Sequence, residues 1–240
     1  MHSFNNSVSY LSELCEDNYF IFVQEHWLLK SLLWKFDLVH KDFVFDGCSA
    51  MDSVCSEGLL RCGRPFGGVG ILHRKNLSAK LFVVAYHSEG RCVAVTLDYG
   101  NLHLLCFGVY LPCDDSSQHY HNCLSDVFGF IESTAELYPG YKCMILGYFN
   151  FECVNSSLRY CDFTPLINEM NLTVCDSMDS NSVRYTYSRN TLNHKSLIDR
   201  VFVHKDVVPL ISEYKVLLDA TNCSDHLPVR FLGFVSIVCN

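Results

Sequence analysis

Five short segments place polar side chains where apolar runs begin or end. Val23-Gln24-Glu25-His26-Trp27 closes one run with a carboxylate, Gly108-Val109-Tyr110-Leu111-Pro112 closes another with a phenol, and Leu146-Gly147-Tyr148-Phe149-Asn150 closes a third with an amide. Ser196-Leu197-Ile198-Asp199 opens a run with a carboxylate, and Ser224-Asp225-His226-Leu227-Pro228-Val229 sets Asp and His side by side before the last one. Glu25 and Asp225 are hard oxygen donors suited to Mg²⁺, which takes one or two carboxylates and keeps several waters. Such an ion polarises a phosphoryl oxygen and stabilises a leaving group. His226 can act on a nucleophilic water or steady a charged phosphate, and Asp199 can hold its imidazole in one tautomer. Asn150 and Tyr110 can donate hydrogen bonds to phosphate oxygens. Together these residues imply metal-assisted phosphodiester hydrolysis. Each alone also has a plainer role: Glu25 as a solvated strand end, Tyr110 as packing beside a proline, Asp225 as a turn cap.

The elements that must position these residues are readable from periodicity. Ser7 to Glu16 has the apolar spacing of a short helix, and Tyr19 to Val23 reads as a buried strand. Gly67-Gly68-Val69-Gly70 is a loop entering a strand that reaches His73. Leu81 to Tyr86, Cys92 to Leu97 and Leu102 to Tyr110 are strands separated by Glu89-Gly90 and Tyr99-Gly100-Asn101, an antiparallel meander. Ser117 to Leu137 has helical spacing and stops at Pro139-Gly140. Lys142 to Leu146, Leu197 to Val203 and Phe231 to Val238 are further strands, and Asp162 to Met170 a short helix. Strands interleaved with helices predict one α/β domain over 1–240, with a two-layer sheet core and helices outside. No linker composition supports a boundary near 112–116.

The 240 residues are 49% hydrophobic and 18% charged, enough apolar matter for one sizeable core. No apolar stretch approaches the ~18 residues of a membrane helix, and the first residues lack a signal-peptide pattern. The expectation is therefore an intracellular chain with no membrane association. The net charge of −8 does not suit a polyanion binder, so any nucleic-acid function must use a local patch or a metal ion. The 14 cysteines include no C-x-x-C pair. Cys92, Cys106, Cys143 and Cys239 sit in apolar runs, where a reduced Cys acts as a small hydrophobe.

In this order, Gln24-Glu25-His26-Trp27, Gly67-Gly68-Val69-Gly70-Ile71, Val109-Tyr110-Leu111-Pro112, Leu146 to Asn150, Ile198-Asp199 and Ser224 to Val229 span nearly the whole chain. They resemble the endonuclease/exonuclease/phosphatase superfamily, and within it the apurinic-type endonuclease domain of LINE (non-LTR) retrotransposons. The resemblance implies a deoxyribonuclease-I-like four-layer α/β sandwich, two mainly antiparallel sheets face to face with outer helices. It implies Mg²⁺-dependent cleavage of DNA, with Mn²⁺ as the alternative ion, leaving a 3′-hydroxyl that primes reverse transcription. It further implies a monomeric domain, stand-alone or derived from a polyprotein with a reverse transcriptase, and nuclear if functional. Glu25 and Asp225 match the metal-site residues, Tyr110 the active-site Tyr, and Asn150 the Asn that touches the phosphate. Asp199 matches the Asp that pairs with the catalytic His, here His226. Thr186, in Tyr185-Thr186-Tyr187, matches a polar substrate-contact position.

Two departures stand out. The family has Gly-Asp-Phe-Asn where this chain has Gly147-Tyr148-Phe149-Asn150. The implied role of that Asp is to orient or deprotonate the attacking water. A phenol, with an ordinary pKa of about 10, carries no charge at neutral pH. The family also opens with a strand bearing a metal-pocket Asn, whereas a helix is expected here by Ser7. That strand is expected to be missing, with Asn5 or Asn6 as stand-ins by residue type only and unpaired backbone in the neighbouring strands. The resemblance therefore leaves four readings open: an active Mg²⁺-dependent endonuclease in which His226 or a metal hydroxide takes over, an endonuclease domain disabled at Tyr148, a binding module of the same fold, and a phosphatase of small phosphoesters.

Overall fold

The computed structural model describes residues 4–51, 66–113, 118–151, 158–178, 183–189, 194–233 and 236–239. Ser117, where the long helix was expected to begin, lies outside them, as do Cys55, Cys62 and Cys153. The chain opens with α1 (Phe4–Asp17), which holds Asn5 and Asn6. Tyr10, Leu11, Leu14 and Cys15 form its buried stripe. Asn18 ends it, its Nδ2 donating to the Leu14 carbonyl at 2.7 Å. Then follow β1 (Phe20–Gln24), a 3-10 helix (Lys30–Leu38), β2 (Phe43–Cys48), β3 (Val69–Arg74), β4 (Lys80–Tyr86), β5 (Cys92–Tyr99) and β6 (Leu102–Tyr110). The next stretch holds α2 (Gln118–Glu136), β7 (Lys142–Tyr148), α3 (Leu158–Glu169) and β8 (Leu172–Val174). The last comprises β9 (Tyr187–Arg189), β10 (His194–Ser196), β11 (Asp199–His204), β12 (Glu213–Val216), β13 (Val229–Leu232) and β14 (Ser236–Cys239).

Two six-stranded mixed sheets result, ordered β12-β13-β14-β1-β3-β2 and β4-β5-β6-β7-β11-β8, with β9-β10 as a separate hairpin. Period-2 alternation builds three apolar layers. Phe20 and Phe22 of β1, Leu104 and Cys106 of β6, Met144 and Leu146 of β7, and Val201 and Val203 of β11 meet in the core between the sheets. The alternate residues of β6, β7 and β11, such as Phe107, Ile145 and Phe202, face outward against α2 and α3. Ile21 and Val23 do the same on the other side, against α1 and Phe36 of the 3-10 helix. This is the four-layer sandwich expected from the sequence. No helix among the described residues is long and apolar enough to cross a membrane.

The C-terminal region departs from expectation. The single strand expected over Phe231 to Val238 is two strands, β13 and β14, paired antiparallel. Gly233 lies between them, and a Cβ there would come within 2.4 Å of the Leu210 carbonyl oxygen, so only glycine fits. The hairpin returns β14 alongside β1 as a parallel neighbour, with Phe20 opposite Ile237 and Phe22 opposite Cys239. β3 covers the other edge of β1. The unpaired edge expected beside β1 does not arise, because β14 lies there.

Among the described residues no two cysteines are joined in a disulfide. Burial pushes the Cys143 thiol up to about 11 and those of Cys92, Cys106 and Cys239 higher still. They pack as small apolar side chains, as their sequence context indicates.

His26 shows how the glycine-rich segment supports the loop after β1. Leu28 N–H donates to its Nδ1 at 3.0 Å, so Nε2 carries the proton and donates to the Cys48 carbonyl at 3.1 Å. Its ring lies against Gly68 (φ +86°), where a Cβ would approach it to 2.4 Å. Burial holds the His26 pKa down to about 4, against 6.5 in an open chain. Below pH 6.5 the unfolded chain binds a proton that the folded chain refuses. Stability is therefore expected to fall from pH 6.5 to 4, by on the order of 3 kcal/mol from this group. Urea midpoints across that range, with the His26 ring followed by NMR, check this; a folded-state His26 titrating near 6.5 contradicts it.

Candidate functional site

Strand parity and register bring the chemistry-bearing residues to one end of the inter-sheet core. Tyr110, Tyr148 and Asp199 share the inward parity of β6, β7 and β11. Tyr148 is the register partner of both the others, of Tyr110 across β6–β7 and of Asp199 across β7–β11. Register at this row depends on Gly147. Its φ is +139°, and a Cβ there would sit 2.1 Å from the Val109 carbonyl oxygen. Gly147→Ala is expected to cost about 3 kcal/mol or more, because backbone strain and a backbone clash combine. Urea denaturation measures it; a loss under about 1 kcal/mol contradicts the account.

Asp199 and His226 form a buried pair. The imidazole Nδ1–H donates to Asp199 Oδ2 at 2.8 Å, with the two residues 5% and 7% exposed. This fixes the tautomer and leaves Nε2 as the ring's free acceptor position. The backbone beneath is held firmly. Thr186 Oγ1 accepts from the N–H groups of Ile198 and Asp199 at 3.1 and 3.0 Å. Arg200 pairs with Asp176 and donates to the Leu197 carbonyl. Thr186 is 0% exposed. Its hydroxyl oxygen braces the backbone that carries Asp199.

Glu25 follows β1 in a left-handed conformation (φ +55°), half-buried, with its carboxylate near enough to the Tyr110 phenol to act on it electrostatically. Burial first, then Glu25, push the Tyr110 phenol far above its ordinary range. Asn150 is also left-handed (φ +59°), which Asn tolerates well. Its Nδ2 donates to the Leu111 carbonyl at 2.8 Å, and its Oδ1 accepts from the exposed Cys113 thiol at 3.2 Å. Asp225 sits on the loop before β13, its carbonyl accepting from Ser188 N–H at 2.9 Å.

Tyr148 fills the middle of this arrangement. Its ring lies 5.4 Å from that of Tyr110 and 4.6 Å from that of His226, edge to face. Burial first, then Cys113, Asp199 and Glu25, drive its phenol far above the ordinary value. Tyr148 is therefore a neutral wall beside the imidazole. Tyr187 stands against the same imidazole at 5.0 Å, and its backbone bridges to His226.

Sequence reading missed the β9–β10 hairpin. Between residues 180 and 198 the chain has Arg184, Arg189 and Lys195 and no carboxylate. Arg184 and Lys195 are exposed, and Lys195 Nζ lies 4.1 Å from the Tyr185 ring centroid. An acidic protein thus carries a local basic and aromatic edge beside its buried His–Asp pair. The charge run was legible. Its pairing into a hairpin beside His226 was not.

Among the described residues, no three His, Cys, Asp or Glu side chains gather as a metal cage. The available donors are hard oxygens, with Asp199 already engaged by His226. Glu25 and Asp225 match an ion that takes one or two carboxylates and keeps its waters, and they do not match a closed protein cage.

No protein-family model matches the sequence, and neither does any curated protein. Solved structures do match the fold. A 3′ phosphatase from Neisseria bound to a product DNA hairpin aligns at a TM-score of 0.71 and 15% identity, over 97% of this chain and 96% of that one. The endonuclease domain of TRAS1, a telomere-specific non-LTR retrotransposon, aligns at 0.65 and 12%, over 96% and 95%. A mannosyl-6-phosphatase from Bacteroides thetaiotaomicron aligns at 0.62 and 16%, over 95% and 89%. The chain has the fold of the endonuclease/exonuclease/phosphatase proteins, a fold that serves both nucleases and phosphatases.

Proposed function

We propose that this chain is a DNA endonuclease domain of the retrotransposon type, with its hydrolytic step disabled by Tyr148. The observation that carries this reading is the buried Asp199–His226 pair, with Asp199 in one register row with Tyr148 and Tyr110. His226 Nε2 faces the reaction as a proton acceptor or a donor to phosphate, oriented by Asp199. Tyr110 and Glu25 present a phenol and a carboxylate. Glu25 and Asp225 would hold Mg²⁺ or Mn²⁺. Bound there, the ion would supply charge neutralisation at the phosphate. The basic hairpin favours an extended polyanion over a small phosphoester, because separated cations neutralise several phosphates at once. Tyr185 and Tyr187 add ring faces and edges of the kind that meet bases. On this reading the domain acts on DNA in the nucleus as a monomer, either alone or derived from a polyprotein with a reverse transcriptase.

Fluorescence anisotropy with a labelled duplex tests the binding half. The chain should bind DNA, and Lys195→Glu with Arg184→Glu should weaken binding and flatten its salt dependence. Mannose 6-phosphate at millimolar concentration should not compete. Competition by the small phosphoester, with no effect of the hairpin charges, would favour the phosphatase reading instead.

A further inference from the structure

Arg91 lies against the site through Tyr110. It precedes β5 directly opposite Tyr110, whose N–H donates to the Arg91 carbonyl at 2.8 Å. Its guanidinium carbon is 5.5 Å from the Tyr110 ring centroid and 5.9 Å from that of Phe66. Its Nε is 3.5 Å from Glu89 Oε2, an ionic contact without hydrogen-bond geometry. A buried guanidinium with an unbonded Nε is costly, and an apolar side chain of similar length would avoid the cost.

The segment carrying Arg91 is braced from three sides. His87 N–H donates to the Cys92 carbonyl, and Gly90 N–H to that of His87. The buried His87 ring bonds Asp126 of α2 through Nε2 at 2.9 Å, and its Nδ1 accepts from Glu89 N–H at 3.3 Å. Gly90 (φ +64°) lies flat on the Ser49–Ala50 backbone. Such bracing fixes the place from which the guanidinium reaches the ring.

We propose that Arg91 is a positioning residue that holds the Tyr110 ring, by cation–π contact and backbone pairing, in its place beside Tyr148. The proposal rests on the reading of Glu25 and Tyr110 as part of a phosphodiester site. Its effect on the site runs through Tyr110, which makes it separable from a general packing role.

A double-mutant cycle in the Tyr148→Asp background tests it. Arg91→Met should lower kcat roughly ten- to a hundredfold with KM within about twofold, and Arg91→Lys should recover part of the loss. In a Tyr110→Phe background, Arg91→Met should add nothing. An equal loss in both backgrounds, or none in either, overturns the proposal. A second measurement needs no catalysis: NMR of ¹³Cζ-labelled tyrosine in the full chain. The Tyr110 resonance should move in both Glu25→Gln and Arg91→Met. If Glu25→Gln moves it and Arg91→Met leaves it in place, Arg91 does not position Tyr110. If no variant cleaves DNA, the functional reading fails while the NMR result still decides the role of Arg91.

Discussion

Tyr148→Asp is expected to raise the single-turnover cleavage rate of duplex DNA by roughly 10²–10⁴-fold over the parent chain, the range of general-base assistance. Tyr148 occupies the position between Tyr110 and Asp199 and stands edge-on to His226. Its phenol is raised well out of the working range by burial and by Cys113, Asp199 and Glu25, so it accepts no proton at any useful pH. On the proposed reading the ring also fills space that an attacking water would need. Asp removes both obstacles at once, and Tyr148→Ala separates them. Ala opens the space without supplying a base, so it should recover a smaller part of the rate. Tyr148→Phe should stay at the parent level. If Asp is no faster than Ala, the missing element is room for water and not a base.

The second large effect concerns folding. Deleting residues 236–240 is expected to abolish cooperative unfolding. β14 is the third of six strands in its sheet, with β1 and β13 on its flanks. Ile237, Val238 and Cys239 are essentially fully buried. At ~1.5–3 kcal/mol for each buried apolar side chain, they contribute roughly 4–9 kcal/mol. That is comparable with the whole stability of an ordinary domain, ~5–15 kcal/mol. Their loss also strips hydrogen bonds from both neighbours, the costlier part for backbone that stays buried. The Ser236–Asn18 bond (2.6 Å) that ties β14 to the start of β1 goes as well. Thermal melts followed by circular dichroism decide this. A shortened chain melting within a few degrees of the full one would show that β14 is dispensable.

Much of this architecture was legible because β-strands alternate. The apolar runs ending at Val23, Tyr110 and Leu146 are strands, and parity alone places Tyr110, Tyr148 and Asp199 on one face. Residue type then singled out Glu25, Asp225 and His226. The division of the C-terminal strand at Gly233 was hidden by a continuous apolar run, and its cause is a distant carbonyl, that of Leu210. The parallel pairing of β14 with β1 is likewise a tertiary choice that local pattern does not encode. The short strands β8, β9, β10 and β12 span three or four residues each, too few for a period to show. Thr186 was recognised as relevant, but its burial and its two backbone partners set its role. Arg91 was within reach of sequence reasoning. The tight turn at Gly100-Asn101 fixes the β5–β6 register, and that register carries Arg91 to the residue opposite Tyr110.

On the proposed reading, Glu25, Asp199 and His226 belong to a phosphodiester-cleaving site whose hydrolytic step Tyr148 blocks. Nicking of supercoiled plasmid by the Tyr148→Asp chain, with and without Mg²⁺, tests it most directly, beside the same chain carrying Glu25→Ala or His226→Ala. The account predicts nicking that requires Mg²⁺, stops with EDTA and is lost in both Ala variants. A folded Tyr148→Asp chain that leaves the plasmid intact, or nicking that survives loss of His226, would contradict it.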